Sequence, residues 1–330
     1  MFRTAKIAGI ALTSALMLGT TVAGAKTLRV SHNLPEENPA HIALVHMADL
    51  LKEKTNGELK MRVFANAQLG TQRESVELVQ NGLLDMARSN AAEMEAFEPA
   101  YAAMNLPFLF ESEPHFYEVL KSDVASDIFA ASEGKGFLGV SFMVDGSRSF
   151  YANKEIKSPA DLKGMKIRVQ PSPSAIQMVE LLGGAPTPIA FGELYSALQQ
   201  GVVDGAENNP QALVDVRHGE VAKVYSQNEH TMIPGVLVVS EKTYNALPED
   251  QQKALMEAGK EMLAFQRDLY NKQTLEMIEI AKNDLGVKFI EVEKGPFIEA
   301  VLPMHESAAK ANPLVADIID RVKAMAPSAK

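Results

Sequence analysis

One arginine sits where the sequence offers it no neighbour of opposite charge. The run Gly164-Met165-Lys166-Ile167-Arg168-Val169-Gln170 reads as a half-buried strand, in which alternation sets Ile167 and Val169 on one face and Lys166 and Arg168 on the other. A charge left unpaired away from water costs several kcal/mol. A lone strand arginine is ordinarily a surface salt bridge. If its face borders a cleft instead, the planar guanidinium can hold a carboxylate by two parallel hydrogen bonds, which a lysine does not reproduce. The loop Gln170-Pro171-Ser172-Pro173-Ser174 then opens a helix whose N-terminal amides would add positive potential. Further along, Val203-Asp204-Gly205-Ala206-Glu207-Asn208-Asn209 supplies a second short strand with an acid and two amides.

Other patterns carry less. Gly134-Lys135-Gly136-Phe137-Leu138-Gly139 matches the dinucleotide fingerprint letter for letter. It follows a helix-like stretch and precedes a strand-like one, the reverse of the context a phosphate loop requires, so it reads as a helix-to-strand turn. Among the histidines, His41 and His46 miss the four-residue spacing that stacks two ligands on one helix face, and no HExxH pair exists. His230 reads as a hydrogen-bonded structural histidine. Asp145-Gly146-Ser147-Arg148 is not a glycine-flanked nucleophile elbow. With Cys 0, there is no disulfide, thiolate metal site or cysteine nucleophile. An enzyme would have to assemble its site from residues that no local pattern announces, and no cofactor or metal is expected.

The elements that must position these residues alternate between strand-like and helical runs, which predicts an α/β protein. Strands are expected over residues 27–31, 59–65, 83–88, 137–144, 165–169, 202–206, 236–239 and 287–290. Residues 40–54 have helical spacing, as do 72–80, opened by Thr71 and Glu74 as a capping box and closed by Asn81-Gly82. Ser158-Pro159-Ala160-Asp161 starts a short helix that Gly164 stops before the arginine strand. From Pro248 to about Leu285 the chain reads as helix almost throughout, roughly 55 Å at 1.5 Å per residue. That exceeds the diameter of a domain of about 150 residues, so it is expected to bridge two domains as a strut, with Gly259 as its one interior glycine.

The chain begins with Arg3 and Lys6, an apolar stretch from Ile7 to Leu18, and Ala23-Gly24-Ala25. This predicts a secretory signal peptide over residues 1–25 and an exported, periplasmic protein. The apolar run is too short for a membrane anchor, which needs about 20 residues. Formal net charge is -10, and losing Arg3 and Lys6 makes the mature chain more acidic still. Such a field disfavours nucleic acid and anionic membranes, and any site for an anion must be made by local arginines. A chain of roughly 300 residues after cleavage exceeds one ordinary core and predicts two domains.

Together with the segment from Gly183 to Gln199, these motifs closely resemble the solute-binding receptors of tripartite ATP-independent periplasmic (TRAP) transporters, of the C4-dicarboxylate-receptor type. The resemblance runs through the mature chain, including Gln68-Leu69-Gly70, Asn105-Leu106-Pro107-Phe108, Leu162-Lys163-Gly164 and Leu247-Pro248-Glu249-Asp250. It implies a two-lobed periplasmic binding protein, type II-like, with a long helix bridging both lobes. The first lobe would hold residues 26–145 and 234–273, the second 146–233 and 274–330. The family's carboxylate-clamping arginine falls on Arg168, a second arginine near the ligand on Arg148, its asparagine after Val-Asp-Gly-x-Glu on Asn208, and its pocket aromatic on Phe191. In the first lobe Asn33 and Asn90 match positions that face the cleft. Arg88, at a strand's C-terminal end, and Glu74 are further candidates, although Glu74 already has a place in the capping box. Where sialic-acid receptors of the family carry an arginine, this chain has Glu93, which argues against sialic acid.

Arginines combined with Asn33, Asn90, Gln170, Asn208 and Asn209 suit a small carboxylate bearing several hydroxyls, a hexuronate or an aldonate, since each buried hydroxyl needs a partner. The lack of tryptophan argues against a large aromatic acid. A C4-dicarboxylate is the second expectation, with Arg88 or Arg148 taking its other carboxylate. The implied partners are the organic acid and the membrane permease subunits of the transporter, with no direct membrane insertion. A receptor serving a sensor kinase, or a periplasmic enzyme, are the readings from other classes.

Overall fold

The computed structural model describes residues 25–327; residues 1–24, on which the signal-peptide reading rests, lie outside them. The chain lays down β1 (Lys26–Ser31), β2 (Leu59–Phe64), β3 (Met86–Asn90) and β4 (Phe137–Met143). It crosses at residues 144–146 into β5 (Ser147–Ala152), β6 (Lys166–Val169), β7 (Ala185–Pro188), β8 (Gly205–Asn208) and β9 (Val224–Met232). Through Ile233 and Pro234 it returns to β10 (Gly235–Ser240), and after the helix Glu249–Asn283 it adds β11 (Lys288–Glu291). Two sheets result, ordered β2-β1-β3-β10-β4 and β11-β9-β5-β8-β6-β7. Because β10 pairs antiparallel with β4, and β9 antiparallel with β5, the two crossings run side by side.

Local signals explain the framing helices. Asn38 caps Pro39–Lys54, and Thr71 with Glu74 forms the full capping box of Gln72–Gln80. Asp161 Oδ2 accepts from Ser158 N at 2.9 Å, opening the 3-10 turn Pro159–Leu162 ahead of β6. Gly134 and Gly136 adopt positive φ between the helix Asp123–Ala130 and β4, the helix-to-strand turn expected there.

The long helix has 35 residues and is about 52 Å long. Its first half buries Leu255, Ala258 and Met262 with Leu44, Met47 and Val239. A Cβ on Gly259 would lie 2.8 Å from Val140 Cγ1 and 3.2 Å from Val140 O, so only glycine lets the helix approach β4 this closely. Beyond that the helix is pinned at the first crossing. Gln266 accepts from Val144 N (2.7 Å) and donates to Val144 O (2.6 Å), while Tyr270 donates its hydroxyl to Asp145 O at 2.7 Å. It then runs along the helix Gln211–Asp215 of the second sheet. The largest apolar cluster joins Phe142, Phe150, Val169 and Met178 to Phe297, Ile318 and Val322 of the C-terminal helices. Among the described residues no helix is long and apolar enough to cross a membrane.

Two strands are shifted from expectation, and three were not expected. The strand expected over residues 83–88 begins at Met86 and ends on Asn90, because Asn81–Asp85 is a turn that leaves Leu83 exposed. The one expected over 202–206 is Gly205–Asn208, which puts Glu207 and Asn208 in the sheet. Strands β5, β7 and β9 have no counterpart among the expected ones. Ser-Arg-Ser-Phe-Tyr-Ala and Val-Tyr-Ser-Gln-Asn-Glu-His-Thr-Met bury polar residues that spoil the apolar alternation. Ala-Pro-Thr-Pro is an edge strand, where proline's missing donor is harmless.

Candidate binding site between the two sheets

Arg168 lies on β6, flanked by β7 and β8, with 1% of its surface exposed. Its Nε donates to Ile189 O at 2.8 Å. Both Nη1 and Nη2 are buried with no hydrogen-bond partner among the described residues. Its Cζ stands 6.0 Å from the Phe191 ring centroid. Burial pushes its pKa below the ordinary arginine value, against the raising influence of Glu207. A guanidinium with only its Nε satisfied in such a place favours an incoming oxyanion.

Next to it is a cavity with about 550 Å³ of empty space, its open mouth included. The second sheet lends Arg148, Gln170, Phe191, Asn208 and Asn209 to the wall, and the first side lends Asn33, Gln72, Arg88 and Asn90. Arg168 stands behind this wall, beside Phe191, rather than in it. Asn33 Oδ1, Arg88 Nε and Gln170 Oε1 are also buried without a partner among the described residues. Unsatisfied polar atoms thus collect around one cavity, and buried polar atoms without partners call for a ligand or another group to satisfy them.

The other two arginines have counter-ions. Arg148 grips Glu207 with Nε to Oε2 at 2.7 Å and Nη2 to Oε1 at 2.9 Å, and donates from Nη1 to Asn208 Oδ1 at 2.6 Å. Burial alone would raise the Glu207 carboxyl, but Arg148 and the contact from His230 overcome it and hold it at about 2. Arg88 pairs with Asp145, a residue of the first crossing. On β10 a Cβ at Gly235 would meet Arg88 Nη2 at 2.7 Å, so glycine there makes room for the guanidinium. Burial raises the Asp145 carboxyl, with Arg88 opposing the shift.

Asn90 caps the short helix Ala91–Met94 and donates from Nδ2 to Gln72 Oε1 at 3.0 Å. Gln72 in turn donates to Glu93 Oε1 at 2.9 Å, so the buried Glu93 serves as an anchor for two wall amides. At the mouth Asn38 Nδ2 donates to Asp215 Oδ2 at 2.8 Å, linking the cap of Pro39–Lys54 to the helix Gln211–Asp215.

Comparison with known proteins bears on this arrangement. The family model described as bacterial extracellular solute-binding protein, family 7, matches residues 30–312. The chain belongs to that family. A TRAP periplasmic solute-binding protein from Anaerococcus prevotii with bound D-glucuronate is 34% identical with TM-score 0.88, covering 91% of this chain and 97% of that one. Another from Xanthobacter autotrophicus, with bound β-D-galacturonate, is 35% identical with TM-score 0.87, covering 90% and 99%. The 2,3-diketo-L-gulonate-binding periplasmic protein YiaO of Escherichia coli is 30% identical over 297 residues, 89% of each chain. The fold is that of the two-lobed TRAP receptors, with the long helix bridging the lobes.

Of the residues singled out in the receptor's sequence, Arg148, Asn208, Asn33, Asn90, Arg88 and Phe191 share the cavity wall and Arg168 stands behind it. Glu74 is apart from them. It is exposed, and its Oε2 accepts from Thr71 N at 2.8 Å and Thr71 Oγ1 at 3.0 Å, which also lowers its pKa. The amides opening the helix Pro173–Leu181 do not serve the cavity as expected. Ser174 N donates to the buried Glu95 at 3.2 Å and Ala175 N to Ser172 Oγ at 3.1 Å. Asn38, Gln72, Asp145, Gln211, Asp215 and Tyr270 line the wall without a sequence signal, their partners lying far off in the chain. Among the described residues no cluster of three or more His, Cys, Asp or Glu could hold a metal.

Proposed function

We propose that this protein is the periplasmic receptor of a TRAP transporter and that it captures a hexuronate. The observation that carries this is Arg168, whose two η nitrogens are buried and unpartnered among the described residues, beside a wall rich in amides. The glucuronate and galacturonate bound to relatives about a third identical support the same ligand class. The carboxylate takes the Arg168 fork. Asn33, Gln72 and Asn90 from one lobe and Gln170, Asn208 and Asn209 from the other partner the hydroxyls.

Lobe I comprises residues 26–145 and 234–273, and lobe II residues 146–233 and 274–330. The two antiparallel crossings and the long helix form the hinge, and ligand contacts to both lobes favour the closed state. The closed receptor hands its ligand to the membrane permease without chemical change, and the energy for transport comes from an ion gradient in that partner.

The test is thermal melting of the ligand-stripped mature protein against hexuronates, aldonates, sialic acid and C4-dicarboxylates. Ligand at 100 times its Kd stabilises by about 2.7 kcal/mol, a shift of several degrees. The expected result is a shift with D-glucuronate or D-galacturonate that Arg168→Ala abolishes while keeping its native circular dichroism. Unchanged affinity in that variant would defeat the assignment.

A further inference from the structure

Two arginines line the cavity and a third, Arg168, stands behind its wall; the two in the wall already hold a carboxylate. Glu207 binds Arg148 through both of its oxygens, and Asp145 pairs with Arg88 on the opposite sheet. Only Arg168 keeps two η nitrogens without a partner among the described residues. The other two acids nearby are hydrogen-bonded to amides rather than to an arginine. Glu93 lies behind Gln72, and Asp215 is engaged with Asn38 at the mouth. Among these three arginines Arg168 is therefore the one with both η nitrogens open to a ligand, on the side of the second sheet.

We infer that Asp145 determines specificity, turning Arg88 from a second carboxylate clamp into half of a hydroxyl-binding pair and so restricting the receptor to monocarboxylates. This rests on the hexuronate reading and names which acids of that length are refused. An arginine alone at Arg88 would match the far end of a diacid. With Asp145 beside it, a second carboxylate meets a fixed negative charge, whereas a hydroxyl can donate to Asp145 and accept from Arg88 Nε, which is buried and unpartnered among the described residues. Asp145 is well placed for this role. Its carbonyl accepts from Tyr270 Oη at 2.7 Å and from Asn209 Nδ2 at 2.8 Å, so the long helix and the second sheet hold it against Arg88.

The test is calorimetric titration of the stripped receptor with matched acids, D-galacturonate against galactarate and D-glucuronate against glucarate, which differ in oxidation at one end. The wild type is expected to bind the hexarate on the order of 100-fold more weakly than its hexuronate, the scale of a like-charge contact. Asp145→Asn, which keeps the shape, should narrow that ratio at least about tenfold by gaining hexarate affinity. The double variant Asp145→Asn/Arg88→Met should lose the gain, which general loosening of the site would not. An unchanged ratio in Asp145→Asn, or a wild type that takes both acids equally, overturns the inference while leaving the hexuronate reading intact. A wild type that binds neither acid overturns the hexuronate reading itself. Should Asp145→Asn fail to fold, the wild-type ratio decides.

Discussion

At the scale of single residues, the site is costly to assemble. Arg168 is buried with both η nitrogens idle among the described residues, so its presence is better explained by an incoming anion than by stability. Arg168→Met should therefore abolish ligand-induced stabilisation without lowering the melting temperature of the ligand-free receptor. A large drop in that ligand-free value would make Arg168 structural. Glu207 has the opposite character. Its folded pKa is depressed to about 2 from an ordinary 4.5, so its pairing with Arg148 stabilises fully above pH 4.5 and is lost as pH falls towards 2. Glu207→Gln strands Arg148 and should cost about 3–5 kcal/mol at neutral pH, while weakening the loss of stability between those two pH values. Urea denaturation of both proteins at neutral pH and near pH 3 checks this; equal stabilities at neutral pH would contradict it. The sequence made Arg168 conspicuous because a charge interrupts a β-forming run. It could not expose Asp145 or Gln72, since Arg88 finds its counter-ion 57 positions away and Gln72 finds Glu93 21 away.

Among the elements, the long helix was legible through its apolar spacing and the absence of proline after Pro248. Its one interior glycine was readable only as tolerated, and packing gives the reason. In an exposed helix Gly→Ala gains about 1 kcal/mol. Here the added methyl meets Val140, so Gly259→Ala should destabilise instead, and a gain in chemical denaturation would show that the helix has room to retreat. Strands β5 and β9 were illegible for a different reason. Their buried positions include Arg148, Ser149 and His230, whose partners Glu207 and Glu229 N lie in other strands, as well as Ser226 and Asn228. A binding site that replaces apolar alternation with a polar network hides the strands that carry it.

For the molecule as a whole, the proposed hinge consists of the two crossings, residues 144–146 and 233–234, and the long helix. Tyr270 ties that helix to Asp145 O at 2.7 Å, and Gln211 Oε1 lies 2.9 Å from the same hydroxyl, so the two acceptors share its one proton. Tyr270→Phe removes the helix's hold on Asp145 O, which keeps only Asn209 Nδ2 as donor, and leaves Gln211 Oε1 without its hydroxyl; at about 1–3 kcal/mol per lost buried partner it should weaken hexuronate binding by on the order of tenfold. Small-angle scattering should show a smaller ligand-induced contraction in this variant; an unaltered affinity and contraction would remove Tyr270 from the hinge. The most direct test of the central claim is a crystal structure of the stripped receptor re-bound to D-glucuronate or D-galacturonate. The account predicts the carboxylate oxygens on Arg168 Nη1 and Nη2, at about 2.7–2.9 Å, with hydroxyls towards Asn33, Asn90 and the Arg88–Asp145 pair. A carboxylate seated instead on Arg88 or Arg148, with Arg168 still idle, would contradict it.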